Sequence, residues 1–193
     1  SRIEAGRKEV VDEAVSLHEE LEEAIKLVGM KAREKNHQLL PKLPDDLPKL
    51  SGDKRAVRQI WLNLLSNAIK FTQPGGRIEM TAWKHSSGDI AMSVRDNGPG
   101  MPDTEVRSAL AAFTRGSMAT RKAIDGAGLG LSIVNGLAKL HGGQLDISSV
   151  PGKGTQITVT FPQRRILDNS RAAIFGNEGI DSETQRRLIA LTA

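Results

Sequence analysis

Three short boxes, in one order, constrain this chain more than anything else in it: Asn63-Leu-Leu-Ser-Asn67-Ala-Ile-Lys70, then Asp96-Asn-Gly98-Pro-Gly100, then Gly126-Ala-Gly128-Leu-Gly130-Leu131. Each asks for a different backbone. The first suits a helix, the second a tight turn, and the third an extended glycine loop that opens a helix. A chain that contains all three must alternate helices with strands.

The periodicity around the boxes agrees. Leu17, Leu21, Ile25, Val28 and Ala32 fall at helical spacing with acids between them, which predicts an amphipathic helix over 17–36. Three prolines and a glycine in 41–52 predict a loop or a short edge strand. A second helix should start near Asp53, as N-cap, and run to about Phe71. Alternating apolar residues at 77–84 and 89–95, separated by Ser86-Ser87-Gly88, predict a hairpin. A further helix is expected from Gly128 to His141, stopped by Gly142-Gly143, with strands at 144–149 and 155–161 meeting at Pro151-Gly152. Residues 101–126 carry charged and small residues and little periodicity after Phe113, so they are expected to form a mobile lid. Helices separated by hairpins imply an α/β two-layer sandwich, a mixed, mostly antiparallel sheet with helices on one face.

On the second helix, at 100° per residue, Gln59, Asn63, Asn67 and Lys70 fall within about 80° of one another, opposite Val57, Trp61, Leu64, Leu65 and Ala68. Two mid-helix asparagines weaken a helix. A solvated polar stripe would look the same in isolation. The i, i+4, i+7 spacing also lets an amide oxygen ligate Mg²⁺ while an ammonium one turn on meets a phosphate.

The other boxes favour that second reading. Asp96 at a strand end can accept a hydrogen bond from an exocyclic amine such as that of adenine, and the glycines beside Pro99 let backbone approach a flat ligand. Gly126-Ala-Gly-Leu-Gly130 at a helix start offers N–H groups and the positive helix end to phosphate. A plain turn and a glycine linker would explain either box alone. Together with Phe113-Thr-Arg115 and Gly152-Lys-Gly154-Thr155 they read as an ATP pocket built without a Walker A loop, since no GxxxxGK[ST] occurs.

Composition removes competitors. Net charge is +4, from 27 Lys+Arg against 23 Asp+Glu, and aromatics are 3%, so a nucleic-acid interface is not expected. With no cysteine there is neither disulfide nor thiolate metal site. No apolar run approaches the roughly 20 residues of a membrane span, so no direct membrane contact is expected. At 193 residues and 38% hydrophobic content the chain suffices for one cored domain with short extensions. It opens at Ser1-Arg-Ile-Glu without a Met and is read as a piece of something larger.

In order, spacing and near-identity, the segments NLLSNAIKFT, DNGPGM and GAGLGLSIV resemble the N, G1 and G2 boxes of the catalytic ATP-binding domain of bacterial sensor histidine kinases, with Phe113-Thr-Arg115 as the F box. That family lies within the gyrase, chaperone, kinase and mismatch-repair ATPase superfamily, and the resemblance covers roughly 13–162. It implies a Bergerat-type fold and ATP with Mg²⁺ as cofactors. Asn67 would hold the metal, Lys70 a phosphate, and Phe71 would line the base pocket. Asp96 would bind the adenine amine in a pocket shaped by Gly98 and Gly100, with Met101 beside them. Phe113 and Arg115 would belong to the lid at about 101–125. Gly126, Gly128, Leu129, Gly130 and Leu131 would form the phosphate loop, and Thr155 would support the adenine side. Residues 1–12 resemble the end of a dimerisation helix.

Superfamily members that hydrolyse ATP carry a glutamate base four residues before the metal-binding asparagine, where this chain has Asn63. An amide takes no proton, whereas a neutral imidazole needs no base from this helix. The resemblance therefore implies a protein-histidine kinase, with Asn63, Lys70 and Arg115 as its catalytic set. A binding-only pseudokinase is the second reading and an ATPase the third. The acceptor histidine is expected upstream of Ser1. His18-Glu19 resembles the start of an acceptor motif, but Glu22 and Glu23 stand where Thr or Asn and then Pro should follow. His37, His85 and His141 are expected at the surface or in loops. Implied partners are a dimerisation and phosphoacceptor domain of the same polypeptide and the receiver domain of a response regulator, with this portion cytoplasmic and the full-length parent a homodimer, either free or membrane-anchored. Residues 163–193 are read as a C-terminal extension, with Ser182 and Gln185 capping a short helix.

Overall fold

The computed structural model describes residues 12–115 and 128–167. Two long helices carry most of the core. Helix α1 (Leu17–Glu34) starts at Ser16, whose hydroxyl accepts the Glu19 N–H, and buries Leu17, Leu21, Ala24, Val28 and Ala32 along one face. Helix α2 (Lys54–Phe71) starts where the sequence places it: the Asp53 carboxylate accepts the N–H groups of Arg55 and Ala56 at 2.8 and 3.2 Å. Its buried side holds Val57, Ile60, Trp61, Leu64, Leu65 and Ala68. The two helices are tied by an ion pair in which the fully buried Glu20 accepts from Arg58 Nε at 2.7 Å.

These helices pack with α4 (Gly128–Leu140) on a five-stranded sheet of order β2 (Gln38–Lys42), β4 (Arg77–Lys84), β5 (Ile90–Asp96), β7 (Gly154–Phe161), β6 (Gln144–Val150). Only β2 runs parallel to its neighbour. In register, Met80, Val94, Ile157 and Ile147 form one apolar row across the sheet. One step toward the strand ends, the next same-face row is Ile78, Asp96, Thr155 and Ser149. The core face thus turns polar where β5 ends, and the pocket lies there. This is the two-layer α/β sandwich the pattern predicts.

Four details differ from the sequence expectation. Residues 38–42 form a paired strand despite Pro41, because an edge position tolerates the missing N–H. A small sheet, β1 (Glu13–Val15), β3 (Lys49–Gly52), β8 (Ile166–Leu167), closes over the start of α2 and carries the folded body to Leu167. Residues 103–115, expected within the mobile lid, form helix α3, with Asp103 and Glu105 in its first turn. His37 and His141 are buried rather than superficial. Each ring has a backbone carbonyl partner, Gln73 O for His37 and Leu137 O for His141, which offsets the cost of burying a polar ring. No helix among the described residues is long and apolar enough to cross a membrane.

Candidate nucleotide-binding site

A cavity of about 320 Å³ opens between the C-terminal half of α2, the end of β5 and the start of α4. Leu64, Ala68, Val94, Leu131 and Ile157 supply apolar walls, and Phe71, half-exposed, stands at the rim. Asn67, Asp96, Glu105 and Thr155 are the polar groups that converge on it. An apolar slot with a few placed polar atoms suits a flat heterocycle.

Asp96 is the buried acid of the cavity. Burial pushes its carboxyl above the usual carboxylate range, and the backbone N–H groups of Gly98 and Thr155 partly oppose that shift. The Gly98 N–H donates to Asp96 Oδ1 at 2.8 Å. Gly100 has φ +68°, and a Cβ there would overlap the Val150 carbonyl, so the turn needs glycine for both reasons. The turn is fastened to the β6–β7 connection: Gly152 N–H donates to Pro99 O at 2.7 Å, and Met101 N–H donates to Ser149 Oγ at 2.8 Å.

The polar stripe of α2 faces α4. Atoms of Asn67 and Asn63 lie 3.6–3.8 Å from where a Cβ on Gly130 would sit, so the absent side chain leaves that gap open. Both asparagines have a buried Nδ2 with no partner, while Gln59 Nε2 donates to Asn63 Oδ1 at 3.3 Å. Lys70 lies past them, its Nζ 5.1 Å from the Phe71 ring centroid. The structure thus brings Asn63, Asn67, Lys70, Phe71, Asp96, Gly98, Gly100, Met101, Gly130, Leu131 and Thr155 to one region. Gly128 and Leu129 open α4, and Phe113 and Arg115 end α3. The side chains of Leu129, Phe113 and Arg115, and Gly126 altogether, lie outside the described residues, as does the expected lid from 116 onward. Position 63, where a base would stand, presents an amide.

Several supporting residues lie outside the boxes. Lys35 Nζ donates to Ile69 O at 2.9 Å and Lys70 O at 3.3 Å, capping α2 beside the expected phosphate and base residues. The His37 ring is 3.0 Å from Gln73 O in the same turn. Glu105 contributes a carboxylate to the cavity. Ser149 could have been noticed as the polar residue ending the alternation Leu145, Ile147, Ser149. Lys35 left no such signal. His18, by contrast, has its Nε2 buried without a partner, which does not suit an acceptor that another domain must reach.

Known proteins share this arrangement. The model of the family described as histidine kinase-, DNA gyrase B-, and HSP90-like ATPase matches residues 52–165. The cell-division control histidine kinase PdhS of Brucella anthropi is 37% identical over 175 residues, covering 86% of this chain and 17% of that protein. Its counterpart from Brucella abortus matches equally. The chain therefore spans about a sixth of these relatives' length. Among solved structures, full-length ShkA in complex with AMPPNP superposes with a TM-score of 0.67 at 30% identity, over 84% of this chain and 32% of that one. The mycobacterial sensor histidine kinase MprB gives 0.64 at 27%, over 79% and 97%. With the match spanning both the described body and the cavity-lining boxes, the chain belongs to the histidine kinase-, DNA gyrase B-, and HSP90-like ATPase family.

Proposed function

We infer that this chain is the ATP-binding catalytic domain of a sensor histidine kinase. It passes the γ-phosphoryl group of ATP to a histidine on a dimerisation domain, for relay to the receiver domain of a response regulator. The observation that carries this reading is the pairing of a buried, desolvated Asp96 under an apolar slot with an amide at position 63. The first suits adenine, whose amine donates to the carboxylate. The second leaves no base on α2 to activate water. An imidazole nitrogen forms the new bond to phosphorus as the bond to the β–γ bridging oxygen breaks, and ADP leaves with that electron pair. The AMPPNP complex of a 30% identical protein supports adenine nucleotide as the ligand, and the names of the Brucella relatives support the reaction.

Asn67 fits a magnesium ion: its half-buried amide carries an unpartnered Nδ2, and a rotation of the amide exchanges that atom for the oxygen donor. Magnesium beside a nucleotide is held largely by phosphates and one or two protein oxygens, a demand that a single amide oxygen meets. When bound, such an ion neutralises phosphate charge. Lys70, Arg115, Gly126 and the opening of α4 at Gly128 and Gly130 are assigned the remaining phosphate contacts, and Phe113, Leu129 and Leu131 are assigned to the same nucleotide site. This domain is read as cytoplasmic and its parent as a homodimer.

The test is incubation of the chain with γ-labelled ATP and a separate dimerisation domain bearing the acceptor histidine. Label on that histidine, with negligible phosphate release by the chain alone, is the predicted result. Binding without transfer would identify a pseudokinase, and free phosphate an ATPase. Either would overturn the kinase reading.

A further inference from the structure

The polar row at the end of the sheet has a member that none of the sequence boxes contains. Ser149, the last residue but one of β6, sits across from Thr155, and Thr155 sits across from Asp96. Because side chains alternate along strands, all three lie on the face that carries Ile147, Ile157 and Val94 one step inward. The Ser149 hydroxyl gathers three groups. It accepts the Met101 N–H at 2.8 Å, lies 3.1 Å from Gly154 O, and lies 2.8 Å from Thr155 Oγ1. A hydroxyl has one proton and two lone pairs, so these three contacts use it fully. Its proton goes to Gly154 O or to Thr155. In both cases the Thr155 hydroxyl is held from the side away from the cavity.

Met101 and Thr155 both line the cavity, whereas Ser149 does not. Met101 also lies two residues before α3 begins at Asp103. One side-chain oxygen therefore joins the turn after Asp96, the entry to α3 and the rear of the base slot.

We propose that Ser149 is a positioning residue for the adenine slot, acting through Met101 and Thr155. The proposal rests on the reading of this cavity as an ATP site. Without the hydroxyl, the Met101 N–H loses its acceptor and Thr155 loses the group that orients it. The slot then keeps its lining but not its fixed shape, and a nucleotide must order it on binding. Both affected residues belong to the base side, so ATP and ADP lose affinity by the same factor. An effect on the phosphate side would separate the two.

The experiment is calorimetric titration of the chain and its Ser149→Ala and Ser149→Thr variants with ATP and with ADP. Ser149→Ala should bind both nucleotides about threefold to tenfold more weakly, the scale of one neutral hydrogen bond. Ser149→Thr, which keeps the hydroxyl, should restore binding to within about twofold. Equal affinity in Ser149→Ala, or a loss confined to ATP, overturns the proposal. An unaltered chain that binds neither nucleotide would refute the ATP reading itself, a separate outcome. Amide exchange in the unaltered chain needs no variant: the Met101 N–H should be protected without nucleotide, and exchange at the free-peptide rate would also overturn the assignment.

Discussion

His141 Nε2 accepts the backbone N–H of Asp53 at 3.1 Å, joining the end of α4 to the N-cap of α2. The other ring nitrogen donates to Leu137 O at 2.8 Å, which defines the neutral tautomer with its proton on Nδ1. The ring also meets Phe161 edge-on, with centroids 5.8 Å apart, and a Cβ on Gly52 would press against it at 2.8 Å. Helices α2 and α4 are thereby fixed to each other through one buried side chain.

Replacing His141 with Phe preserves much of the ring volume but leaves the Asp53 N–H without its acceptor. The expected cost is about 2–3 kcal/mol of stability, the scale of a buried unsatisfied donor. Urea denaturation checks it. Undiminished stability would show that the ring acts only as packing.

Glu20 is fully buried while its partner Arg58 is partly exposed, and Lys54 Nζ lies 3.5 Å from the second Glu20 oxygen. Arg58→Ala should destabilise by about 3 kcal/mol, because it strands a buried carboxylate with only the longer Lys54 contact. Arg58→Ala combined with Glu20→Met should recover part of that loss, since no charge is then left buried. Denaturation of the two variants decides between this account and a surface pair of little consequence.

Burying the Asp96 carboxylate opposes folding at neutral pH. Its carboxyl titrates above the ordinary range because burial disfavours the charge. A raised folded value means that its stabilising contribution is fully present below the unfolded carboxylate value and is lost as pH rises through the folded one. Asp96→Asn should therefore melt a few degrees above the parent at neutral pH without nucleotide. The gap should close at acid pH, where Asp96 is protonated. Melting curves across that pH range that stay parallel would contradict the desolvation account.

Much of this was legible in the sequence, for physical reasons that differ by element. The start of α2 could be read because Asp53 caps it and its apolar face repeats at helical spacing. The sheet could be read because large apolar residues recur at every second position of β4, β5 and β7, although β5 is covered on both faces. Strands β1 and β8 are too short for alternation to register. Strand β2 starts at Gln38, ahead of the 41–52 segment expected as a loop or short edge strand, and its edge position accommodates Pro41. Helix α3 has Ala109 as its fully buried contact among the described side chains, so its pattern is faint. His141 lies beside Gly142-Gly143 and reads locally as loop. Its burial depends on β7 and the N-cap of α2, which no short window of sequence contains. Most of the box residues converge as their motifs imply, while Ser149 and Lys35, which brace them, belong to no motif.

The account rests on adenine meeting Asp96. Calorimetric titration of the chain and of Asp96→Asn with Mg·ATP at neutral pH tests it most directly. The predicted result is binding by the parent and a loss of about 1.5–3 kcal/mol in the variant, roughly tenfold to more than a hundredfold in affinity, as for a hydrogen bond to a charged group. Equal affinity in the two proteins would contradict it.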